Sequence, residues 1–177
     1  MPKKRPSLTI RPQKPPEVLT GAPLDHDERV QDALERAFKF IAKRERTVAQ
    51  VRARLERDGV DESAIAAALA QMVSDGYLSD QRFAALYAED RRGIDGWGNE
   101  RIIINLREAG ISSEIIEAVV GSRGHADQVG DAIRVLDQRI GTKPQDGRER
   151  ERALGMLARR GYSLEIAYDA VRAFERQ

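Results

Sequence analysis

Apolar residues recur along most of the chain at intervals of three and four, the spacing that places them on one face of an α-helix. The first such stripe is Leu34, Ala37, Phe38 and Ile41, with mainly polar residues between its members. Two further stripes follow it: Val48, Val51 and Leu55, then Ile65, Leu69 and Met72. The pattern predicts successive amphipathic helices.

Capping residues and glycines divide this pattern into helices. Thr47 is expected to cap the second helix and Gly59 to end it. Asp61 or Ser63 can cap the third helix, which Gly76 ends. The first part of the chain therefore predicts a three-helix unit.

The same order of apolar residues, glycine and capping residue recurs twice more along the chain. The segments "LERDGVDESAI", "LREAGISSEII" and "LARRGYSLEIA" each place Leu four residues before Gly, and the glycines 59, 110 and 161 are 51 residues apart. A constant period indicates tandem repeats that mainly contact their neighbours. The predicted fold is all-α: three tandem three-helix, helix-turn-helix-like repeats in an elongated, curved array. The predicted units are unit one (25–78), unit two (79–124) and unit three (125–177).

The segment "GYLSDQRFAALY" (76–87) contains the boundary between units one and two. Ser79 or Asp80 is expected to cap the next helix, and an N-cap is the favoured role of Asp80. Phe83, Leu86 and Tyr87 are expected to form the apolar stripe of that helix. In unit three the corresponding stripe is Val129, Ile133, Leu136 and Ile140.

Composition narrows the functional classes. The 177 residues include no Cys and two His that lie far apart in sequence, which argues against disulfides, metal centres and a His-based catalytic triad. No apolar run approaches the roughly 20 residues needed to cross a membrane. We expect a cytoplasmic, monomeric protein without cofactor or enzymatic activity.

Residues 1–24 are rich in proline and basic side chains and lack an apolar period. They predict a disordered tail that either makes weak contact with nucleic acid or aids solubility.

Charge is distributed in blocks although the net charge is only +1. Residues 36–57 carry +6, and residues 58–80 carry −5. Such alternation suits a protein lying on another charged macromolecule, or a solvated helix surface laced with ion pairs.

Candidate binding residues are basic or aromatic. "GIDGWG" (93–98) matches no phosphate-binding fingerprint. Its Trp97 is either a binding hot spot or a cover over the gap between units one and two. Two basic groups could follow a nucleic-acid backbone or form plain solvated faces: Arg52, Arg54 and Arg57 in unit one, and Arg159 and Arg160 with their neighbours in unit three.

Taken together, "GYLSDQRFA" and "GWGNERIIINLREAGIS" resemble the RecX family of bacterial RecA modulators. The resemblance spans about 28–176, is strongest over 47–121 and is weaker in unit three, which lacks a counterpart of "DQRFA". The motif positions expected to be structural are Gly76, Asp80, Phe83, Gly98, Ile102, Leu106, Gly110 and Ile111.

The resemblance implies a helical array that binds RecA, lodges in the groove of its filament on single-stranded DNA, and restrains recombinase, ATPase and coprotease activities. It also leaves open weak direct binding to DNA. We expect Arg91, Arg92, Arg101 and Arg107 to contact acidic RecA surface or DNA.

Two other functions remain open. Residues 47–78 have the rhythm of a winged-helix DNA-binding regulator, although the helix that would enter the major groove, "ESAIAAALAQMVSDG", carries no Lys or Arg and no β-wing is predicted after it. A purely structural helical adaptor would also suit the repeats.

Overall fold

The computed structural model describes residues 25–177, which form nine α-helices and contain no strand. The predicted tail, 1–24, lies outside the described residues. The all-α class and the three tandem three-helix units are confirmed. The helices are α1 (His26–Ile41), α2 (Val48–Arg57), α3 (Glu62–Ser74), α4 (Asp80–Gly93), α5 (Asn99–Glu108), α6 (Ser113–Gly121), α7 (His125–Arg139), α8 (Gly147–Arg159) and α9 (Leu164–Glu175).

Each unit encloses its own apolar core, formed by the stripes of its three helices. Burial of these side chains supplies most of the driving force that holds short helices together. Three separate cores, one per unit, fit a serial array. Their principal members are Val51, Leu55, Ile65 and Met72 in unit one, Ala84, Ile102, Leu106 and Ile116 in unit two, and Leu136, Leu157, Ala167 and Phe174 in unit three.

The repeated glycines end the middle helix of each unit in the same way. Gly59, Gly110 and Gly161 have φ angles of 75°, 81° and 86°. The residue after each glycine donates its N–H to the carbonyl oxygen of the Leu four residues before that glycine, at 3.0 to 3.2 Å. This αL helix ending explains why the Leu, Gly and apolar positions recur together.

The first joint, between units one and two, brings the N-terminus of α2 against the C-terminal end of α5. The Thr47 hydroxyl donates to the Ala109 carbonyl oxygen at 2.7 Å. The Val48 N–H donates to an Asp80 carboxylate oxygen at 2.9 Å. A Cβ at Gly110 would collide with the Ala49 side chain, so glycine permits this approach.

The second joint, between units two and three, repeats the arrangement one unit further on. The Gly98 and Glu100 N–H groups at the start of α5 donate to the carbonyl oxygens of Arg160 and Gly161, at 2.8 and 2.9 Å. A Cβ on Gly98 would strike the Gly161 backbone, and a Cβ on Gly161 would strike Arg101. The middle helices α2, α5 and α8 therefore meet head to tail, with donors of one helix facing acceptors of the next.

Two sequence-based expectations about α4 are wrong. Ser79 is the N-cap, since its hydroxyl accepts the Arg82 N–H at 3.2 Å, and Asp80 is instead the first helical residue. The Asp80 carboxylate accepts the Val48 N–H at the start of the neighbouring helix α2. Leu86 is 48% exposed because it lies about 200° around the helix from the buried Ala84.

None of the helices described in residues 25–177 is both long and apolar enough to cross a membrane. Over the same residues no strand follows α3, so the β-wing of a winged-helix regulator is missing there.

Candidate functional site

A cavity of about 500 Å³ lies at the first joint and is called the inter-unit groove. The α4 helix lines one side with Leu86 and Asp90, and the end of α5 contributes Glu108. Arg44 and Glu45, from the connection between α1 and α2, line the other side. Charges of both signs therefore surround an exposed apolar side chain, which is the composition of a protein-binding groove.

Arg82 does not line the groove but hydrogen-bonds to Glu45, which does. Its Nε lies 3.0 Å from a Glu45 carboxylate oxygen, and its other guanidinium nitrogens donate to the carbonyl oxygens of Gly76 and Tyr77. This one side chain ties the start of α4 to the loop before α2 and to the turn at the unit boundary. Within the family-motif segment 76–84, Arg82 thus holds Glu45 of the groove lining in place, and Phe83 lines the groove itself.

The aromatic residues of α4 support the groove floor. Phe83 is half-buried rather than fully buried, and its ring stacks on Tyr87 with centroids 5.9 Å apart. Arg91 lies over the Tyr87 ring at 5.0 Å. The Arg91 guanidinium also pairs with the Asp95 carboxylate at 2.6 Å, and this hydrogen bond raises the pKa of Arg91.

Arg92 is partly buried and forms a hydrogen bond within the protein. Its side chain is half-buried and donates to the Asn99 side-chain oxygen at 2.9 Å. Burial, with the neighbouring positive charge of Arg123, lowers the pKa of Arg92. Arg92 therefore supports the start of α5, whereas Arg107 is exposed on the outer surface of that helix.

The structure brings four predicted binding residues together at the second joint. Trp97, Arg101, Arg159 and Arg160 line a cavity of about 410 Å³, called the joint pocket. The location of Trp97 excludes one of its two expected roles, a cover over the gap between units one and two, because the pocket it lines lies between units two and three. Arg101 covers the indole ring, with 4.1 Å between the guanidinium carbon and the ring centroid.

Arg139 also lines the joint pocket and was missed by sequence reasoning. It is the last residue of α7, one of several arginines in unit three, and nothing in its local sequence separates it from the others. Only the packing of both α7 and α8 against α9 brings it to the pocket.

The basic group of α2 is placed differently. Arg52 pairs with Glu62 at 2.5 Å, and Arg54 pairs with Asp58 at 2.9 Å, while Arg57 is exposed. None of the three lines the inter-unit groove or the joint pocket. The adjacent basic and acidic blocks of the sequence therefore meet partly within unit one, as ion pairs on its surface.

Similarity to known proteins identifies the family of this chain. Residues 33–72 match the model of the first three-helix domain of RecX, and residues 79–120 match that of the second. The regulatory protein RecX of Mycolicibacterium vanbaalenii is 30% identical over 165 residues, which cover 87% of this chain and 90% of that protein. The chain belongs to the RecX family.

Two further RecX proteins resemble this chain over most of its length. The regulatory protein RecX of Mycolicibacterium smegmatis is 29% identical over 97% of this chain and 93% of its own length. The crystal structure of RecX from Lactobacillus salivarius superposes with a TM-score of 0.77 at 17% identity, over 85% of this chain and 99% of that one. The latter likeness concerns the fold. The relatives are named regulatory protein RecX, and this chain is accordingly a RecX-type regulatory protein.

The RecX motif residues lie where they determine packing. Ile102 and Leu106 are fully buried and Ile111 nearly so, in the core of unit two. Gly98 is the buried N-cap of α5 at the second joint, and Gly110 forms the first joint. Gly76, with φ of 76°, forms the turn between α3 and α4.

Proposed function

We propose that this protein binds the RecA recombinase and its filament on single-stranded DNA. Binding inhibits the recombinase, ATPase and coprotease activities and so modulates DNA repair and the SOS response. The protein acts in the cytoplasm, as a monomer, and contributes no catalytic group. The observation that carries the proposal is the inter-unit groove, whose lining includes Phe83 of the motif that marks the RecX family.

The groove supports protein binding through its chemistry. Leu86 exposes almost half of its surface between Asp90 and Glu108 on one side and Arg44 on the other. An exposed aliphatic side chain surrounded by charge supplies an apolar anchor and a polar rim, which is how binding energy is concentrated in interfaces. A segment of RecA that carries an apolar residue between charges of both signs would suit it.

The head-to-tail joints support inhibition by occupancy. Backbone hydrogen bonds and glycine contacts connect consecutive units, so a unit that binds one place on a filament holds its neighbours at defined distances. A body of this kind competes for space in a groove without chemistry of its own. Inhibition then follows from blocked access or blocked filament growth.

The proposal is tested by measuring ATP hydrolysis by RecA on single-stranded DNA, with a RecA pull-down alongside. The informative variant is Leu86→Asp, which removes the exposed apolar anchor from the groove. Leu164→Asp is the matched control, because Leu164 is 67% exposed on α9 and does not line the groove.

We expect the wild type and Leu164→Asp to inhibit hydrolysis and retain RecA equally. Leu86→Asp should inhibit at least about tenfold less, the loss expected when one interface anchor is removed. Equal inhibition by both variants would remove the groove from the account. No inhibition and no RecA retention by the wild type would refute the proposed function.

A further inference from the structure

The joint pocket between units two and three is strongly positively charged. Four arginines line it, one from unit two and three from unit three. Its one acidic lining residue, Asp95, is already paired with Arg91 at 2.6 Å. The four arginines are Arg101 from unit two and Arg139, Arg159 and Arg160 from unit three.

Within residues 25–177 none of these four arginines forms an ion pair with a carboxylate. Several other arginines of residues 25–177 are paired, among them Arg54 with Asp58, Arg82 with Glu45 and Arg150 with Glu175. Like charges that converge without partners repel each other, and a bound anion offsets that repulsion. The pocket therefore has the charge of an anion-binding site.

Contacts with protein groups hold two of the guanidinium groups in place before any ligand arrives. Arg160 donates to the Asp95 carbonyl oxygen, and Arg101 donates to the Arg159 carbonyl oxygen at 3.4 Å. Arg101 also lies on the Trp97 ring. Each guanidinium has five N–H donors, so most donors stay available for a ligand. Pre-ordered guanidinium forks match the oxygen pairs of a phosphate group.

The aromatic border favours nucleic acid over an acidic protein surface. Proteins that bind single strands combine a positive groove for the backbone with aromatic or guanidinium planes for the bases. Here the Arg101 guanidinium plane, which lies on the Trp97 indole ring, borders a cavity of about 410 Å³, which has room for a phosphate and an adjoining base. A site for a protein surface is expected to offer an exposed aliphatic side chain, as the inter-unit groove does with Leu86. No exposed large aliphatic side chain is among the residues that line the joint pocket.

We propose that the joint pocket binds a phosphodiester group of single-stranded DNA between units two and three, and that its occupation stiffens the second joint. A phosphate held by Arg101 of one unit and by Arg139 and Arg159 of the other joins the two units through a shared ligand. The backbone hydrogen bonds from Gly98 and Glu100 lie beside this site. The inference deepens the proposed function, because it assigns the DNA of the filament to one site and leaves RecA to the groove.

The test uses the full chain without RecA, so that its failure is distinct from failure of the proposed function. Trp97 is the single tryptophan of the sequence, and its fluorescence reports directly on the pocket. The protein is titrated with oligothymidylate, with inorganic phosphate and with polyglutamate. Hydrogen exchange of the Gly98 and Glu100 amides is measured with and without the oligonucleotide.

The informative variant is Arg139→Ala/Arg159→Ala, which removes two pocket guanidiniums whose side chains hold no joint hydrogen bond. Arg172→Ala/Arg176→Ala is the matched control, because it removes two exposed charges from α9 away from the pocket lining. Circular dichroism verifies that both fold.

We expect oligothymidylate to change Trp97 emission saturably, with an affinity that falls as salt rises. The pocket variant should bind about tenfold or more weakly, the scale of losing two phosphate contacts, while the control changes by less than about twofold. The two amides should exchange more slowly when DNA is bound. Equal weakening of both variants, or no change in Trp97 emission or exchange, overturns the proposal. A response to polyglutamate as strong as that to DNA overturns it in favour of an acidic protein, and a full response to inorganic phosphate alone overturns the assignment to DNA.

Discussion

The Gly98 N–H in unit two donates to the Arg160 carbonyl oxygen in unit three at 2.8 Å, directly where the Gly98 Cα rests on the Gly161 backbone. Two glycines that are far apart in sequence thus create one joint. The neighbouring Glu100 N–H donates to the Gly161 carbonyl oxygen at 2.9 Å. Free amide donors at the start of one helix are satisfied by the carbonyl groups that end another, which ties helix capping to the arrangement of the units.

Substituting the turn glycines separates the cost of backbone conformation from the cost of the joint. Gly59→Ala and Gly161→Ala both place a side chain at positive φ, which costs about 1–2 kcal/mol. A Cβ at Gly59 has open space, whereas a Cβ at Gly161 meets the Arg101 backbone, adding about 1–3 kcal/mol of overpacking. Urea denaturation should therefore show the larger loss for Gly161→Ala.

Amide exchange localises that loss. The Gly98 and Glu100 amides should exchange faster in Gly161→Ala and remain unchanged in Gly59→Ala. Equal losses of stability and equal exchange in the two variants would mean that the second joint contributes nothing beyond the turn itself.

The Thr47 hydroxyl stabilises the first joint and caps α2 at the same time. It is fully buried, donates to the Ala109 carbonyl oxygen at 2.7 Å and accepts the Gln50 N–H at 3.1 Å. Thr47→Val keeps the shape and removes both bonds, so we expect a loss of about 1–3 kcal/mol in the free energy of unfolding. Thr47→Ser keeps the hydroxyl and should cost about 1 kcal/mol or less.

A cap that serves only its own helix provides the comparison for Thr47. The Ser163 hydroxyl accepts the Ile166 N–H at 3.3 Å within unit three. Ser163→Ala should cost roughly 1 kcal/mol without affecting either joint. If Thr47→Val were no more destabilising than Thr47→Ser, the hydrogen bond across the first joint would have no energetic role.

Tyr162 predicts a dependence of stability on alkaline pH. Its hydroxyl is buried without a hydrogen-bond partner among the described residues, and burial, with the nearby Asp131 carboxylate, raises the pKa of Tyr162 to about 12. The unfolded phenol loses its proton first, near pH 10, so the native state binds more protons between about pH 10 and 12. Stability attributable to this group is present below pH 10 and is lost as the pH rises, at up to about 1.4 kcal/mol per pH unit.

Tyr162→Phe should remove that part of the alkaline loss, and near pH 7 it should be neutral or slightly stabilising, because it deletes an unpaired buried hydroxyl. Tyr168→Phe is the control, since Tyr168 is 55% exposed. The measurement is the difference in unfolding free energy between each variant and wild type from pH 9 to pH 12. Parallel curves for wild type and Tyr162→Phe would contradict the assignment.

Arg92 and Arg107 are predicted to differ in what their reversal disturbs. Arg92→Glu places a carboxylate in a half-buried position that a guanidinium hydrogen-bonded to Asn99 now occupies, near the Asp131 carboxylate. We expect a loss of about 3 kcal/mol or more in thermal or urea denaturation. Arg107→Glu, on an exposed position, should stay within about 0.5 kcal/mol of wild type.

The same pair distinguishes a structural arginine from a binding one. If Arg107 contacts an acidic RecA surface, Arg107→Glu weakens inhibition of RecA in a protein of unchanged stability. Full stability of Arg92→Glu would show that Arg92 is a surface residue after all.

Periodicity and capping predicted most of the fold. The stripes through Leu55 and Ile65 are buried as expected, and the glycines at positions 59, 110 and 161 adopt one conformation. These features are local, so they can be read from residues a few positions apart. Leu86 misled the prediction because a short stripe with neighbouring alanines fits two helix faces, and packing selects the face with Ala84 and Ala88.

The candidate site was less predictable because it depends on contacts between units. Nothing near Asp80 in sequence indicates that its carboxylate accepts the Val48 N–H, 32 residues away. Likewise Arg139 reaches the joint pocket only through the packing of unit three, and Arg92 resembles any solvated arginine until its burial is seen. Basic composition identified the residue type but not which arginines face a ligand.

Binding of RecA through the inter-unit groove is tested most directly by the rate of ATP hydrolysis by RecA on single-stranded DNA as this protein is added. We predict inhibition by the wild type and by Leu164→Asp, and at least about tenfold weaker inhibition by Leu86→Asp, because the exposed side chain of the inter-unit groove anchors RecA. An unchanged rate at every concentration of the wild type, with no RecA retained in the pull-down, would contradict RecA binding by this protein.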